Sequence, residues 1–258
     1  MKAHPTAVIH PQAEIACSVV VGPYAVIGEA VEVGEDTEVM SHAVLAGPTK
    51  IGKGNRIFPF ASLGQPPQDM KYRGEPTRLE IGDGNTIREA VTIHRGTVQA
   101  GGVTRIGNHN LLMAYVHIAH DCQLGNYIVM ANGASLAGHV EIGDHAIIGA
   151  FCGIHQFTRI GAYSSLGAYT VVNKDILPFM KTTAERPMTV LGPNRIGLER
   201  DGLDPEAIRE LEAAYKLLCR SKLNTSQALE AIEQQGFRSE HVKTLVDFIR
   251  QSERGVAK

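Results

Sequence analysis

An aliphatic residue recurs every six positions along most of this chain, and no other feature limits its folding so severely. The series runs through Ile9, Ile15, Val21, Ile27, Val33, Val39, Leu45, Ile51, Ile57 and Leu63. It resumes at Ile81, Ile87 and Ile93, and again at Ile106, Leu112, Ile118, Leu124, Met130, Leu136, Ile142, Ile148, Ile154, Ile160, Leu166 and Val172. A period of six suits neither an α-helix nor a simple alternating strand. It suits a parallel β-helix, in which each short strand supplies one inward aliphatic and then turns a corner. Three hexapeptides make a triangular coil of about 18 residues, and successive coils stack at roughly 4.8 Å. The Gly or Ala that often follows the aliphatic is what a tight corner needs, because a larger substituent would strike the next coil.

Composition agrees with thin stacked layers. There are 27 glycines, aromatics make up 5% and tryptophan is absent, which disfavours a core built around large rings. Two stretches break the register, "GQPPQDMKYRGEPTR" at 64–78 and "HRGTVQAGGVT" at 94–104. Both carry Pro, Gly or charge and read as loops thrown out from the solenoid, where function often resides. The repeat fades after Val172, and from about Asp204 the spacing turns helical, with Asp204 or Ser239 as N-caps and Pro205 in a first turn. The expected division is a solenoid over 1–190 and a small α-helical domain over 191–258.

The formal net charge of −2, without a Lys/Arg run, argues against nucleic acid or an anionic membrane surface as a partner. No apolar stretch is long enough for stable membrane insertion, and "MKAHPTAVIHPQAEI" has no signal-type apolar run. Cys17, Cys122, Cys152 and Cys219 lie far apart without CxxC spacing, which fits reduced thiols better than a disulfide or zinc scaffold. A cytoplasmic protein without a cofactor is expected.

Within the repeat, "HIAHDC" at 117–122 is out of place. Ile118, Leu136 and Ile154 occupy one corner position of successive coils, so His117 and His120, His139 and His155 should form a strip along one edge. The strip has three readings. It is surface decoration; or a metal site, as in the gamma-class carbonic anhydrases, which hold zinc between subunits with three histidines; or a general base whose tautomer Asp121 or another carboxylate fixes.

Five segments, "QDMKYRGEPTRLEIGD", "TIHRGTVQ", "NLLMAYVHIAHDCQLGN", "LAGHVEIGD" and "HQFTRIGAYS", together resemble the UDP-N-acetylglucosamine 3-O-acyltransferases of lipid A biosynthesis. "GLERDG" and "AAYKLLCRS" extend the likeness more loosely into the helical region. The resemblance implies a β fold, a left-handed parallel β-helix of hexapeptide repeats with a C-terminal α-helical domain. It implies a homotrimer that moves an (R)-3-hydroxyacyl group from acyl carrier protein to the glucosamine 3-position of UDP-N-acetylglucosamine, the first step of lipid A biosynthesis, with active sites between subunits.

Carried over by motif, His120 is the general base, Asp121 its partner, and the Gly138 N–H the donor to the developing oxyanion. Gln68, Asp69 and Lys71 contact the acyl chain and sugar nucleotide, while His117, His139 and His155 hold substrate or support the base. His94 and Arg95 either match the family's site or brace the second loop. Asn194 and Arg200 match acceptor contacts, whereas Ile196 and Asp201 stand where the family has an acidic and a basic residue. "TTAERP" at 182–187 replaces a usual Gly-Asn pair. Lys216, Arg220 and Lys222 are the basic candidates for docking the acidic carrier protein.

Ala168, beside Gly167, falls at the family's acyl-length ruler. It lies a little under three coils from His120, or roughly 13 Å at about 4.8 Å per coil. At about 1.3 Å per bond this accommodates on the order of ten carbons. Alternatively, Ala168 is one more small corner residue. Two further chemistries stay open from sequence, a carbonic-anhydrase-type zinc enzyme and N-acyl transfer to a 3-amino sugar, as does a non-catalytic sugar-nucleotide sensor.

Overall fold

The computed structural model describes residues 1–184 and 188–258. The repeat winds into a left-handed parallel β-helix with a helical C-terminal region. Among the described residues its three walls are sheets of eleven, nine and eight strands, and, except for the last strand of the first sheet, each strand pairs in parallel with the equivalent strand of the next coil.

The first face presents Val20, Glu38, Arg56, Thr86, Leu111, Val129 and Ile147 in register. The second presents Val8, Val26, Val44, Ser62, Thr92, His117, Ser135, Gly153 and Val171. The third carries Glu14, Glu32, Lys50, Glu80, Arg105, Gln123, Glu141 and Arg159. Charge is thus concentrated on one wall, while the other two are largely apolar or small.

The aliphatic of each hexapeptide points inward, and from Val21 to Val172 these side chains are buried. Corner glycines carry the close approach: a Cβ on Gly34 would stand 2.7 Å from the Gly52 carbonyl carbon. One rung of the core is polar. Asn55, Asn85 and Asn110 stack, each side-chain oxygen accepting from a backbone N–H one coil on.

From Tyr24 onward most corners turn through a left-handed residue, a conformation that costs non-glycine residues roughly 1–2 kcal/mol. The first corner, between faces one and two, uses Tyr24, His42, Phe60, Ala90, Tyr115, Phe151 and Tyr169. Ring stacking offsets part of that cost, as in Tyr24–His42–Phe60 at 5.1 Å spacing. The second corner, between faces two and three, uses Ala30, Asp121, His139 and Phe157, and the third, between faces three and one, uses Asp36, His109, Tyr127, His145, Tyr163 and Phe179.

The repeat does not stop at Val172. Ile176 bridges to Ile160, and a strand at Met180–Thr182 continues face one before Val190–Pro193 turns back antiparallel. The helices follow: α1 Arg195–Arg200, α2 Pro205–Tyr215, α3 Thr225–Gln234 and α4 Glu240–Arg250. Asp204 and Ser239 cap α2 and α4 as expected, and Asn224 caps α3 in a reciprocal box with Gln227. Tyr215 Oη donates to the Val190 carbonyl at 3.1 Å, and Ser252 Oγ donates to Asp175 at 2.7 Å, which fastens the helices to the end of the solenoid. Among the described residues no helix is long and apolar enough to cross a membrane.

Candidate active site

Both register breaks leave the solenoid at the second corner. The first runs between strands Ser62–Gln65 and Arg78–Ile81, the second between Thr92–His94 and Val103–Ile106. Because Arg105 pairs with Gln123, the second insertion lies one coil below Asp121. Loops and histidines that look separate in sequence therefore meet at one edge.

His120 and Asp121 are chain neighbours on a left-handed turn, with Asp121 at φ 62°. That turn swings both side chains together, so His120 Nδ1 lies 2.7 Å from Asp121 Oδ2. Thr97, in the second loop, donates to the same carboxylate twice, from its N–H at 2.7 Å and its hydroxyl at 2.6 Å. The Asp121 N–H in turn donates to Thr104 Oγ1. Burial alone would raise the Asp121 pKa, but the hydrogen bonds from His120 and Thr97 outweigh it and hold the carboxyl below its usual range. A carboxylate so fixed favours His120 Nδ1 as the protonated nitrogen and leaves Nε2 as the free lone pair.

Gly138 packs against this ring, since a Cβ there would stand 2.6 Å from His120 Cε1 and 2.8 Å from Nε2. Its N–H occupies a corner position that proline takes at Pro5, Pro11, Pro23 and Pro59, so the solenoid does not need that donor. At Gly138 this corner N–H is buried against the His120 imidazole. Cys122, by contrast, points into the core, where burial pushes its thiol up to about 12. It is no nucleophile.

The expected strip of four imidazoles is only partly formed. His139 packs edge-on to His120 at 5.1 Å, flat against Phe157 at 4.3 Å, with Nε2 3.7 Å from Asp121 Oδ2. Burial lowers its pKa, opposed by Asp121 and Asp69 and reinforced by His120. His117 bonds Thr92 Oγ1 at 2.7 Å and packs against His94. Burial, with His117 and His120 adding to it, pushes His94 down to about 4. His155, however, is exposed, and among the described residues its Nδ1 meets only the Gln156 carbonyl. It stands two coils from His117, where the wall is lined by Ser135 and Gly153 instead.

The first loop reaches the same edge through Asp69, whose charge is felt at His139. Asp69 Oδ1 also accepts the Lys71 N–H, while Gln68 and Lys71 are exposed. Arg95 braces this first loop rather than the second, lying over the Tyr72 ring and donating to Tyr72 Oη and the Gly47 carbonyl. Thr97, not among the expected site residues, holds the Asp121 carboxylate. The signal was available, since the coil register places the 94–104 insertion directly below Asp121.

Other expected site residues lie elsewhere in the chain. Asn194 caps α1 and donates Nδ2 to the Tyr163 carbonyl, and Arg200 is exposed at the end of α1; both are at the third corner. Gly167 and Ala168 sit at the first corner, where a Cβ on Gly167 would meet Ala184 N at 2.8 Å. His120 and Ala168 thus share no edge of one chain. Residues 185–187 of "TTAERP" lie outside the described residues. Arg220 is already engaged, with Nε on Tyr215 Oη at 2.7 Å, which leaves Lys216 and Lys222 freer to meet a partner.

His120, Asp121 and His139 place donor atoms within 4.8 Å of one another. Zinc at about 2.0–2.1 Å from each ligand would have to displace the His120–Asp121 hydrogen bond, and both Asp121 oxygens already accept from Thr97. The donor set fits a hydrogen-bonded base better than a metal. A groove of about 890 Å³, lined by Asp121, His139, Phe157, Arg105, Arg159 and Arg254, opens beside it.

Comparison with known proteins bears on this geometry. Residues 103–138 and 139–174 match the bacterial transferase hexapeptide model, and residues 175–257 match the model for domain 2 of UDP-N-acetylglucosamine O-acyltransferase. The acyl-(acyl-carrier-protein)-UDP-N-acetylglucosamine O-acyltransferase of Halorhodospira halophila is 51% identical over 98% of both chains. The enzyme of the same name from Thermodesulfovibrio yellowstonii is 48% identical over 99% of this chain and 98% of its own. The crystal structure of UDP-N-acetylglucosamine O-acyltransferase from Moraxella catarrhalis RH4 superposes with a TM-score of 0.96 at 45% identity, covering 100% of each chain.

Proposed function

The chain belongs to the UDP-N-acetylglucosamine O-acyltransferases, and from that membership we propose how its own residues divide the work. It moves an acyl group from acyl carrier protein to an oxygen of UDP-N-acetylglucosamine, the first step of lipid A biosynthesis. Neither the zinc enzyme nor N-acyl transfer to a 3-amino sugar is favoured. In the reading proposed, the acyl group is an (R)-3-hydroxyacyl chain and the acceptor oxygen is the glucosamine 3-hydroxyl.

The observation that carries the mechanism is the 2.7 Å bond from His120 to Asp121 with Gly138 against the free Nε2. His120 Nε2 takes the proton of the 3-hydroxyl as that oxygen attacks the thioester carbonyl carbon. Asp121 stabilises the resulting imidazolium, and the Gly138 N–H donates to the oxyanion. Collapse breaks the C–S bond, and the imidazolium returns its proton to the departing thiolate. The products are the acyl ester and the free thiol of the carrier.

We infer a homotrimer from how the surface is distributed. Tyr24, Phe60, Tyr115, Phe151 and Tyr169 on the first corner are 55–70% exposed, beside two apolar walls and opposite a charged one. A three-fold axis along the first corner would cover those rings and set face two of one subunit against face one of its neighbour. The second corner, with His120, then meets the neighbour's third corner, with Asn194 and Arg200. Residues separated within one chain would so complete one site.

Incubating the protein with UDP-N-acetylglucosamine and a panel of 3-hydroxyacyl carrier proteins, with mass spectrometry of the products, tests the assignment. The expected product is a sugar nucleotide carrying one base-labile hydroxyacyl ester. Absence of acylated sugar nucleotide with every donor would overturn it.

A further inference from the structure

The third corner holds a clasp that the mechanism above does not use. Asp201 Oδ2 lies 3.4 Å from His145 Nδ1, and Oδ1 of the same carboxylate lies 3.4 Å from Arg200 Nε. The His145 ring is stacked between Tyr127 at 4.9 Å and Tyr163 at 4.6 Å, which holds its plane. Asp201 is the C-cap of α1, its N–H bonded to the Gly197 carbonyl. A carboxylate there has the wrong sign for the helix's own dipole, so helix stability does not account for it.

At its other end α1 is pinned by Asn194, whose N–H donates to the Phe179 carbonyl and whose Nδ2 donates to the Tyr163 carbonyl at 3.1 Å. The short helix is therefore fixed to the solenoid at both ends. Ile196 and Arg200, one turn apart on the same face, are left pointing outward, Ile196 at 81% exposure.

We propose that Asp201 is a positioning residue for the acceptor, joining His145 on the solenoid to Arg200 on α1 and so fixing where that guanidinium meets the diphosphate of the sugar nucleotide. This rests on the reading of Arg200 as an acceptor contact; of the acceptor's groups the diphosphate is the one a planar guanidinium suits. Asp201 touches no substrate; it holds the side chain that does.

Steady-state kinetics of the whole enzyme test this, with acceptor KM and kcat measured separately for Asp201→Asn, Asp201→Glu, His145→Phe, Arg200→Ala and the Asp201→Asn/His145→Phe pair. Asp201→Asn should raise acceptor KM about three- to fivefold, the scale of a half-exposed charge pair, with kcat nearly unchanged and partial recovery in Asp201→Glu. His145→Phe keeps the ring stack and should raise KM similarly, and the pair should be no worse than either alone. A fall in KM for Asp201→Asn would mean that the carboxylate repels the diphosphate, and would overturn the proposal. So would an unchanged KM for Asp201→Asn alongside a rise of about tenfold or more for Arg200→Ala, with the Arg200 reading left intact. An unchanged KM in Arg200→Ala rejects that reading, and the clasp with it.

Discussion

His120 Nδ1 and Asp121 Oδ2, on adjacent residues, lie 2.7 Å apart because Asp121 adopts the left-handed conformation of a solenoid corner. Neighbours on a strand point to opposite faces; here the corner supplies what a strand cannot. Asp121→Asn keeps the shape but removes the carboxylate that fixes the tautomer. Turnover should fall by about 10² to 10⁴ with acceptor KM little changed, as read from steady-state rates. Near-normal kcat would show that the pair does not drive catalysis.

Thr97 holds the Asp121 carboxylate with two hydrogen bonds. Thr97→Val removes the hydroxyl donor alone and should destabilise the fold by about 2 kcal/mol at neutral pH. The folded-state pKa of Asp121 is depressed, so its stabilisation is present above the ordinary value of 3.8 and is lost as pH falls through the folded value. Urea midpoints of variant and wild type should therefore converge in acid. A gap that persists unchanged below the carboxylate range would assign the loss to packing.

Protonation of His94 should set part of the acid limb of stability. The unfolded chain takes up that proton near 6.5, the folded chain only near 4. Between these values the unfolded state binds more protons, so stability falls on acidification, by at most about 3 kcal/mol in all. Burial depresses His117 as well, with the same sign. His94→Gln should flatten the urea midpoint against pH between 6.5 and 4; a limb parallel to wild type would contradict the assignment.

Acyl-chain length tests Ala168. If it closes the groove, Ala168→Met should shift donor preference to shorter chains and Ala168→Gly to longer ones, with acceptor KM unmoved. Identical chain-length profiles for both variants and wild type would leave Ala168 as a corner residue only.

The hexapeptide aliphatics announced the fold because each is a single inward rung, and burial of Ile57, Ile87 and Leu112 in one register bridges both insertions. That His120, Asp121 and Gly138 lie together was legible through the family's motifs. Thr97 was not singled out, because a loop threonine has no periodicity and its role comes only from stacking below Asp121. His155 was read into the strip from coil counting, which gives the edge of a side chain but not its direction. The separation of Arg200 and Ala168 from His120 was equally invisible, since a linear motif does not say which corner a residue occupies.

Mixed trimers test the shared site most directly. His120→Ala and Arg200→Ala subunits, each impaired alone, should regain activity when dissociated together and reassembled, because some sites then pair an intact His120 corner with an intact Arg200 corner. Random mixing restores about a quarter of the sites, so at acceptor concentrations well below KM the rate should approach that fraction of wild type. Activity no greater than the sum of the two separate variants would place His120 and Arg200 in independent roles and contradict a site built between subunits.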